Sequence, residues 1–336
     1  MALIRGDGIG PEVTGAALTV LNALEAKFDF GLDIQPTPAG DSPFREGGVA
    51  LPDASLQTIR KSDACLKGPV GETAADVIVR LRQLLDLYAN VRPVKNLPGV
   101  QSFASDVDLV IVRENTEDLY KGLEFEFEGG VMAIRLITKK ASERIAEYAF
   151  NLAESRTKRV VTVHKANVLR KSDALFAAAC HEVGARHPNV ELTDMYVDAA
   201  SMNLIRAPQS FDVLVTTNLY GDILSDEGAQ LVGGLGLVPS ANIGKRFALF
   251  EPVHGSAPDI ANRGISNPVA MLLATAMMLD WLAQSRNDLG CGRAADALRT
   301  AVNGVLGKGI RTPDLGGTAR TSEVAEAVAR EVVSSA

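Results

Sequence analysis

Cysteine is scarce in this sequence: three residues in 336, at Cys65, Cys180 and Cys291, with no C-x-x-C spacing among them. That excludes a zinc ribbon or a thioredoxin-type centre. The odd count leaves at least one thiol unpaired, which suits reduced core thiols in a cytoplasmic protein. Positive charge is also short. Thirty-four Lys and Arg against 41 Asp and Glu leave a net charge of -7, which argues against nucleic acid as a partner. No apolar run reaches the length of a membrane span. Residues 269–283 come nearest, Asp280 interrupts them, and the stretch reads as a buried helix in a soluble protein with no membrane partner. The opening MALIRGDGIGPE lacks the charged-then-apolar pattern of a secretory signal. Internal repeats and low-complexity linkers are absent as well.

What is present is a globular balance, 46% hydrophobic and 22% charged, enough for one large or two moderate domains. Short β-rich runs alternate with longer helical patterns, which predicts an α/β fold with parallel strands. Strands are expected at 2–6, 64–70, 108–115, 160–165 and 212–218. Helices are expected at 11–27, 73–88, 141–155, 171–185, 220–232, 267–284, 290–307 and 321–334. In such sheets the chemistry gathers at strand ends, and the polar clusters of this chain fall there.

Three arginines, Arg82, Arg92 and Arg113, each break an apolar pattern at the edge of an element. Converging guanidinium groups grip a carboxylate in bidentate fashion, although any one of them alone reads as a surface arginine. Asp222 and Asp226 are four residues apart and so share a helical face. Two carboxylates there repel unless a cation bridges them, and oxygen-only ligands suit Mg²⁺ or Mn²⁺. Asp198, at another strand end, is a candidate third ligand; a solvated acidic helix start explains the pair equally well. Lys165 and Asn167 close a strand in VTVHKANVL, and a lysine there can be a general base or a solvated charge. His164 reads as structural. Tyr120 follows the Arg113 strand and could be a general acid or plain packing. GDGIGPE fails the G-x-G-x-x-G pattern because Pro11 stands at the last glycine position. Residues 249–268 have the Gly/Pro/Ser content of a shaped binding loop. Taken alone, these features define an α/β enzyme that binds an anion and a metal.

Seven segments, GDGIGPE, LDLYANVRP, VRENTEDLY, HKANVL, YVDA, TNLYGDILSD and FEPVHGSAPDIA, occur in this order. Together they resemble the β-decarboxylating dehydrogenases, a family of isopropylmalate, isocitrate, homoisocitrate and tartrate/D-malate dehydrogenases. The resemblance runs from residue 4 to about residue 320. It implies a two-domain isopropylmalate/isocitrate dehydrogenase-like α/β fold, not a standard Rossmann domain. Residues 1–97 and 234–336 would form the cofactor-side domain, and 98–233 the central domain with the dimer contacts. It further implies a homodimer, or a dimer-based oligomer, whose active sites borrow residues across the interface.

Carried over by position, Arg82, Arg92 and Arg113 would hold the carboxylate that is lost. Asp222 and Asp226 would bind Mg²⁺ or Mn²⁺ with Asp198 of the other subunit. Lys165 from that subunit would take the hydroxyl proton, and Tyr120 would return a proton to carbon. The resemblance places NAD against Glu251, His254, Gly255, Ala257, Asp259, Ile260 and Asn267, with Asn167 near the nicotinamide. Asp259 would accept hydrogen bonds from the adenosine ribose, which favours NAD over NADP. No required position is replaced, which separates this chain from the non-catalytic regulatory subunits that some relatives form.

Within the family, discrimination rests on the substituent of a shared malate core. Ala75, Ile78 and Val79 share the helical face of Arg82, an apolar patch beside the arginines. Asp76 would repel a third carboxylate. Burying an alkyl branch gains about 0.8 kcal/mol per methylene-sized unit, whereas an unpaired buried carboxylate costs several. The expected substrate is therefore 3-isopropylmalate, with isocitrate, homoisocitrate or D-malate as alternatives.

Overall fold

The computed structural model describes residues 1–74 and 76–334. The first part of the chain forms β1 (Ala2–Ile4), α1 (Gly10–Lys27), β2 (Gln35–Pro36), α2 (Asp41–Gly47), α3 (Asp53–Lys61), β3 (Ala64–Lys67), α4 (Asp76–Leu84) and β4 (Ala89–Lys95). The middle forms β5 (Asp108–Glu114), the hairpin β6 (Glu124–Phe127) and β7 (Gly130–Ala133), then α5 (Lys139–Glu154), β8 (Arg159–His164), α6 (Ser172–Gly184), β9 (Glu191–Tyr196), α7 (Val197–Arg206), β10 (Val213–Thr216) and α8 (Asn218–Leu231). The last part forms β11 (Pro239–Ile243), β12 (Ala248–Pro252), α9 (Val269–Arg286), α10 (Leu289–Gly307) and α11 (Thr321–Ser334). Among the described residues no helix is long and apolar enough to cross a membrane.

The α/β class is as the sequence pattern predicts, but the sheet is mixed. Ten strands run in the order β2-β1-β3-β12-β11-β4-β5-β10-β8-β9. β11 is antiparallel to both of its neighbours, and β4 is antiparallel to β5. The all-parallel expectation fails at these central strands. The strands β2, β1, β3, β12, β11 and β4 come from the two ends of the chain; β5, β10, β8 and β9 come from its middle.

Period-two alternation assigns the two faces of this sheet. On one face Leu66, Phe250, Ala241, Val91, Val112 and Val215 join a single core with α1, α5, α6, α9, α10 and α11. The opposite face is covered in two separate places. Cys65 and Leu249 pack with Ile59 of α3 and with Val77 and Leu81 of α4. Ile111, Val161 and Leu214 pack with Leu204 of α7 and Leu224 of α8. Between these patches lie β11 and β4, which present Ser240, Asn242, Asn90 and Arg92 on that face before Val94 joins the second patch. A gap in the helical cover, floored by polar side chains, is what makes the cleft.

The helix expected at 73–88 is shorter than its pattern. Glu72–Ala74 is a separate 3-10 turn, and α4 stops at Leu84. Asp86 takes a left-handed conformation, φ 48°, while the Leu87 amide donates back to the Arg82 carbonyl at 2.9 Å. This is a helix C-terminus closed by a residue that tolerates positive φ. Ala75, part of the expected apolar patch, lies outside the described residues.

Candidate active site

The floor of the cleft is a row of laterally paired residues. Ser240 stands beside Glu251, and Asn242 beside Asn90, which in turn faces Arg113. Asn242 is fully buried, and its amide oxygen accepts from Asn90 at 2.9 Å, Asn115 at 2.9 Å and Arg82 Nε at 2.8 Å. Its amide nitrogen donates to Glu251 at 2.8 Å. Glu251 also takes Lys67 Nζ at 2.8 Å and Arg82 at 3.5 Å. Burial alone would push the Glu251 carboxyl up, yet Lys67 and Arg82 bring it down to about 2. A buried network survives only when its members are satisfied, and this one fixes Arg82 from beneath.

Arg92 is aimed by Asn90 at 2.8 Å and Ser225 at 2.6 Å, and lies 3.3 Å from Asp222 and 3.5 Å from Asp226. Arg113 donates to Asn218 at 2.9 Å and to Asp222, and its guanidinium sits 4.8 Å from the Tyr120 ring centre. Gly221 lets Arg113 cross the first turn of α8, because a Cβ there would stand 2.6 Å from the arginine side chain. Desolvation and the nearby Arg113 and Arg92 together lower Arg82 to about 10. Three buried cations in mutual repulsion, with Arg113 Nη2 buried and lacking any partner, form a site complementary to an anion.

Tyr120 donates its hydroxyl to Asp222. Burial raises the phenol and Arg113 opposes that rise; the net direction is upward. Asp222 is opposed by burial but held low by Arg113 and Arg92. Asp226 is raised, by burial and by Asp222 beside it. The Asp222 and Asp226 carboxylates share one face of α8, both within reach of Arg92. This hard-oxygen donor pair fits a divalent cation. Among the described residues no group of three His, Cys, Asp or Glu side chains converges within the chain.

A cavity of about 290 Å³ joins these groups. Arg82, Arg92, Arg113, Tyr120 and Asp222 line one end, Ile78 and Val79 one wall, and Glu251, His254 and Gly255 the other. The loop after β12 is seated against GDGIGPE. Ile9 N donates to Ser256 O at 2.8 Å, and a Cβ on Gly8 would stand 1.9 Å from that oxygen. This packing accounts for Gly8, while Gly6 and Gly10 are held close to the Pro69 and Arg5 carbonyls, where a Cβ would stand 2.0 and 2.3 Å away. His254 Nε2 is buried without a partner, and Gly255 and Asp259 are exposed. Asp259 forms no ion pair among the described residues. The loop thus presents an unpaired polar ring atom and a free carboxylate, which fits a nucleotide with a ribose to hold. Ala257, φ 38°, and Ile260 are half-buried in its turn. Asn267 is turned inward, donating to Asp314 at 2.9 Å and accepting from Val269 N at 3.0 Å.

Lys165, Asn167 and Asp198 lie elsewhere. Lys165 Nζ meets Asp198 at 2.5 Å, and Asn167 is exposed on the loop after β8. β8 stands two strands from β5 and three from β4, and none of these three residues lines the cavity. A single chain therefore carries two groups: an arginine–tyrosine–aspartate cleft and a lysine–aspartate pair. Sequence reasoning missed Lys67, Asn90, Asn242 and Ser225, which aim the cleft's charged groups. The signal available was a lysine or asparagine inside a short apolar run.

This fold and cleft are those of an α/β protein with a buried arginine cluster fit for a small anion beside two carboxylates fit for a metal. The chain belongs to the isocitrate/isopropylmalate dehydrogenase family, whose model matches residues 1–328. It is therefore a dehydrogenase, of a kind that works with a nucleotide and a divalent metal. It is 50% identical to the 3-isopropylmalate dehydrogenase of Methanothermobacter thermautotrophicus, over 99% of this chain and 98% of the other. It is 47% identical to the isocitrate/homoisocitrate dehydrogenase of Thermus thermophilus, over 98% and 97%. The crystal structure of isocitrate dehydrogenase from Methylococcus capsulatus superposes with a TM-score of 0.92 at 44% identity, covering 99% and 98%.

Proposed function

We propose that the chain oxidises and decarboxylates 3-isopropylmalate to 2-oxoisocaproate, with NAD as acceptor and Mg²⁺ or Mn²⁺ as metal. The observation that carries the substrate is the wall of Ile78 and Val79 facing the cleft beside Arg82. A branched alkyl group is desolvated favourably there, while a third carboxylate would be buried without a partner. Thr73, a hydroxyl that could have met such a carboxylate, instead donates to Asp41.

Arg82, Arg92 and Arg113 orient the departing carboxylate, and the free Arg113 Nη2 supplies one of the donors. NAD held against the loop after β12 would supply the acceptor for a hydride from the hydroxyl carbon, and Lys165 would take the hydroxyl proton. Carbon dioxide then departs, its bonding electrons forming an enolate, and Tyr120 protonates the carbon that carried it. The raised Tyr120 phenol is protonated at neutral pH, as a general acid requires. A divalent cation held by Asp222 and Asp226 supplies Lewis-acid stabilisation of negative charge. Asp259 would receive the ribose hydroxyls, and a 2′-phosphate would meet like charge.

Lys165 and Asp198 enter this scheme from a second copy of the chain. They sit among exposed apolar side chains, Val168, Tyr196 and Met202, with Ile205 and Ile223 exposed on α7 and α8. Such a surface marks a protein interface, and it supports a homodimer with shared sites. The hairpin β6–β7 exposes Phe125, Phe127 and Val131 in the same way. We infer the division into 1–97 plus 234–336 and 98–233, which the passage of the chain from β4 to β5 supports. The deciding experiment is an initial-rate panel of 3-isopropylmalate, isocitrate, homoisocitrate and D-malate with Mg²⁺, each with NAD and NADP. The reading requires the highest kcat/KM for 3-isopropylmalate with NAD; a higher value for isocitrate or homoisocitrate overturns it.

A further inference from the structure

Outside the cleft, one part-buried cation holds two buried carboxylates. Arg135 follows the β6–β7 hairpin, and its Nε donates to Asp118 Oδ1 at 2.6 Å while Nη1 donates to Asp173. Nη2 reaches Thr217 Oγ1 at 2.8 Å, and the guanidinium lies 5.0 Å from the Tyr220 ring centre. The side chains of Asp118 and Asp173 are both fully buried, and among the described residues no other cation forms an ion pair with either. A buried carboxylate deprived of its only cation is costly, so both acids depend on this one side chain.

Each acid carries a different part of the chemistry. Asp118 has a left-handed backbone, φ 67°, and its carboxylate accepts from Leu119 N at 2.9 Å and Leu219 N at 3.1 Å. It thereby fixes the turn bearing Tyr120 and the start of α8, which bears Asp222. Asp173 accepts from the backbone N of Lys165 at 2.7 Å and so fixes the strand end bearing that lysine. Arg135 is the common bond between the tyrosine turn and the lysine turn.

We infer that Arg135 is a positioning residue serving two reaction centres at once: it sets Tyr120 for the centre of its own subunit and Lys165 for the centre of the neighbouring one. This rests on the shared-site reading above. Arg135→Lys keeps the charge but cannot fork between two carboxylates. The folded variant loses kcat roughly tenfold or more, with KM for 3-isopropylmalate changed less than about threefold. Hydrogen exchange, which needs no activity, speeds up in both segments 118–121 and 162–168. Dimers of one wild-type and one Arg135→Lys chain have an altered lysine in one centre and an altered tyrosine in the other. Their activity therefore lies near that of the variant homodimer, far below the mean of the two homodimers.

Activity of the hybrid at that mean, or faster exchange in only one of the two segments, overturns the proposal. If Arg135→Lys does not fold, Asp173→Asn provides the second test. It should quicken exchange at 162–168 and lower kcat, with 118–121 less affected; unchanged exchange at 162–168 overturns the link. Failure of the shared-site reading itself is distinguishable: Lys165→Ala and Tyr120→Phe chains then fail to complement each other.

Discussion

Lys165 and Asp198 meet at 2.5 Å on a face that also exposes Val168 and Met202, while Asp222 pairs with Arg92, Arg113 and Tyr120 in the cleft. The chemistry assigned to one reaction is thus divided between two places on one chain. Mixing Lys165→Ala with Tyr120→Phe chains puts both lesions in one centre of the hybrid dimer and leaves the other intact. Recovered activity after subunit exchange, up to about a quarter of wild type in a statistical mixture, is the expected result. No recovery in a mixture shown by mass spectrometry to have exchanged subunits would refute shared sites.

Asp222 and Asp226 predict dependence on a divalent cation. Dialysis against chelator should abolish turnover, and Mg²⁺ or Mn²⁺ should restore it. Asp222→Asn should cost roughly a hundredfold or more in kcat, because it removes the negative charge of a ligand and one of the two oxygens that serve Arg113 and Tyr120. Full activity in excess chelator would end the metal assignment.

Val79 predicts the direction of a specificity change. Val79→Arg places a cation in the apolar wall, so kcat/KM for 3-isopropylmalate should fall roughly tenfold or more. The ratio for isocitrate over 3-isopropylmalate should rise correspondingly. If steady-state kinetics show that ratio unchanged, the wall does not select the substituent.

Glu251 predicts a distinct acid limb of stability. Its carboxyl lies at about 2 in the fold against an ordinary value of 4.5. A depressed acid stabilises fully above its unfolded value, and the contribution is lost as pH falls from about 4.5 to about 2. The difference corresponds to roughly 3 kcal/mol. Glu251→Gln leaves Lys67 buried without its counter-ion, so it should melt lower than wild type at pH 7, and the gap should narrow across that window. Melting curves that stay equally separated from pH 5 to pH 2 would contradict the assignment.

The legible parts of the molecule are those with one-face periodicity. α8 and its aspartates, and the strands holding Val110, Val160 and Val213, stand where the pattern places them. β4 and β11 did not read as strands because Asn90, Arg92, Ser240 and Asn242 interrupt their apolar runs. Those interruptions are the cleft floor, so the feature that hides the strands is the one that makes the site. The pairing of Lys67 with Glu251 spans 184 residues and leaves no local trace. The segment 73–88 misled for another reason: its apolar spacing continues past Leu84, while the chain leaves the helix at Asp86 through a backbone conformation that periodicity does not encode. Arg135 gave no signal either, since its partners, Asp118 and Asp173, lie 17 and 38 residues away in sequence, and Asp173 falls outside every motif.

The seven paired positions of β4 and β5, from Ala89 opposite Glu114 to Lys95 opposite Asp108, join the two halves of the sheet directly beneath the cleft. A hydrogen-bonded ladder of that length does not act as a free hinge. It yields elastically, as a torsion spring whose rest angle is the natural twist of the strands. Any motion that brought α4 and α8 together on a ligand would wind that spring, and the energy so stored would be returned when the walls parted.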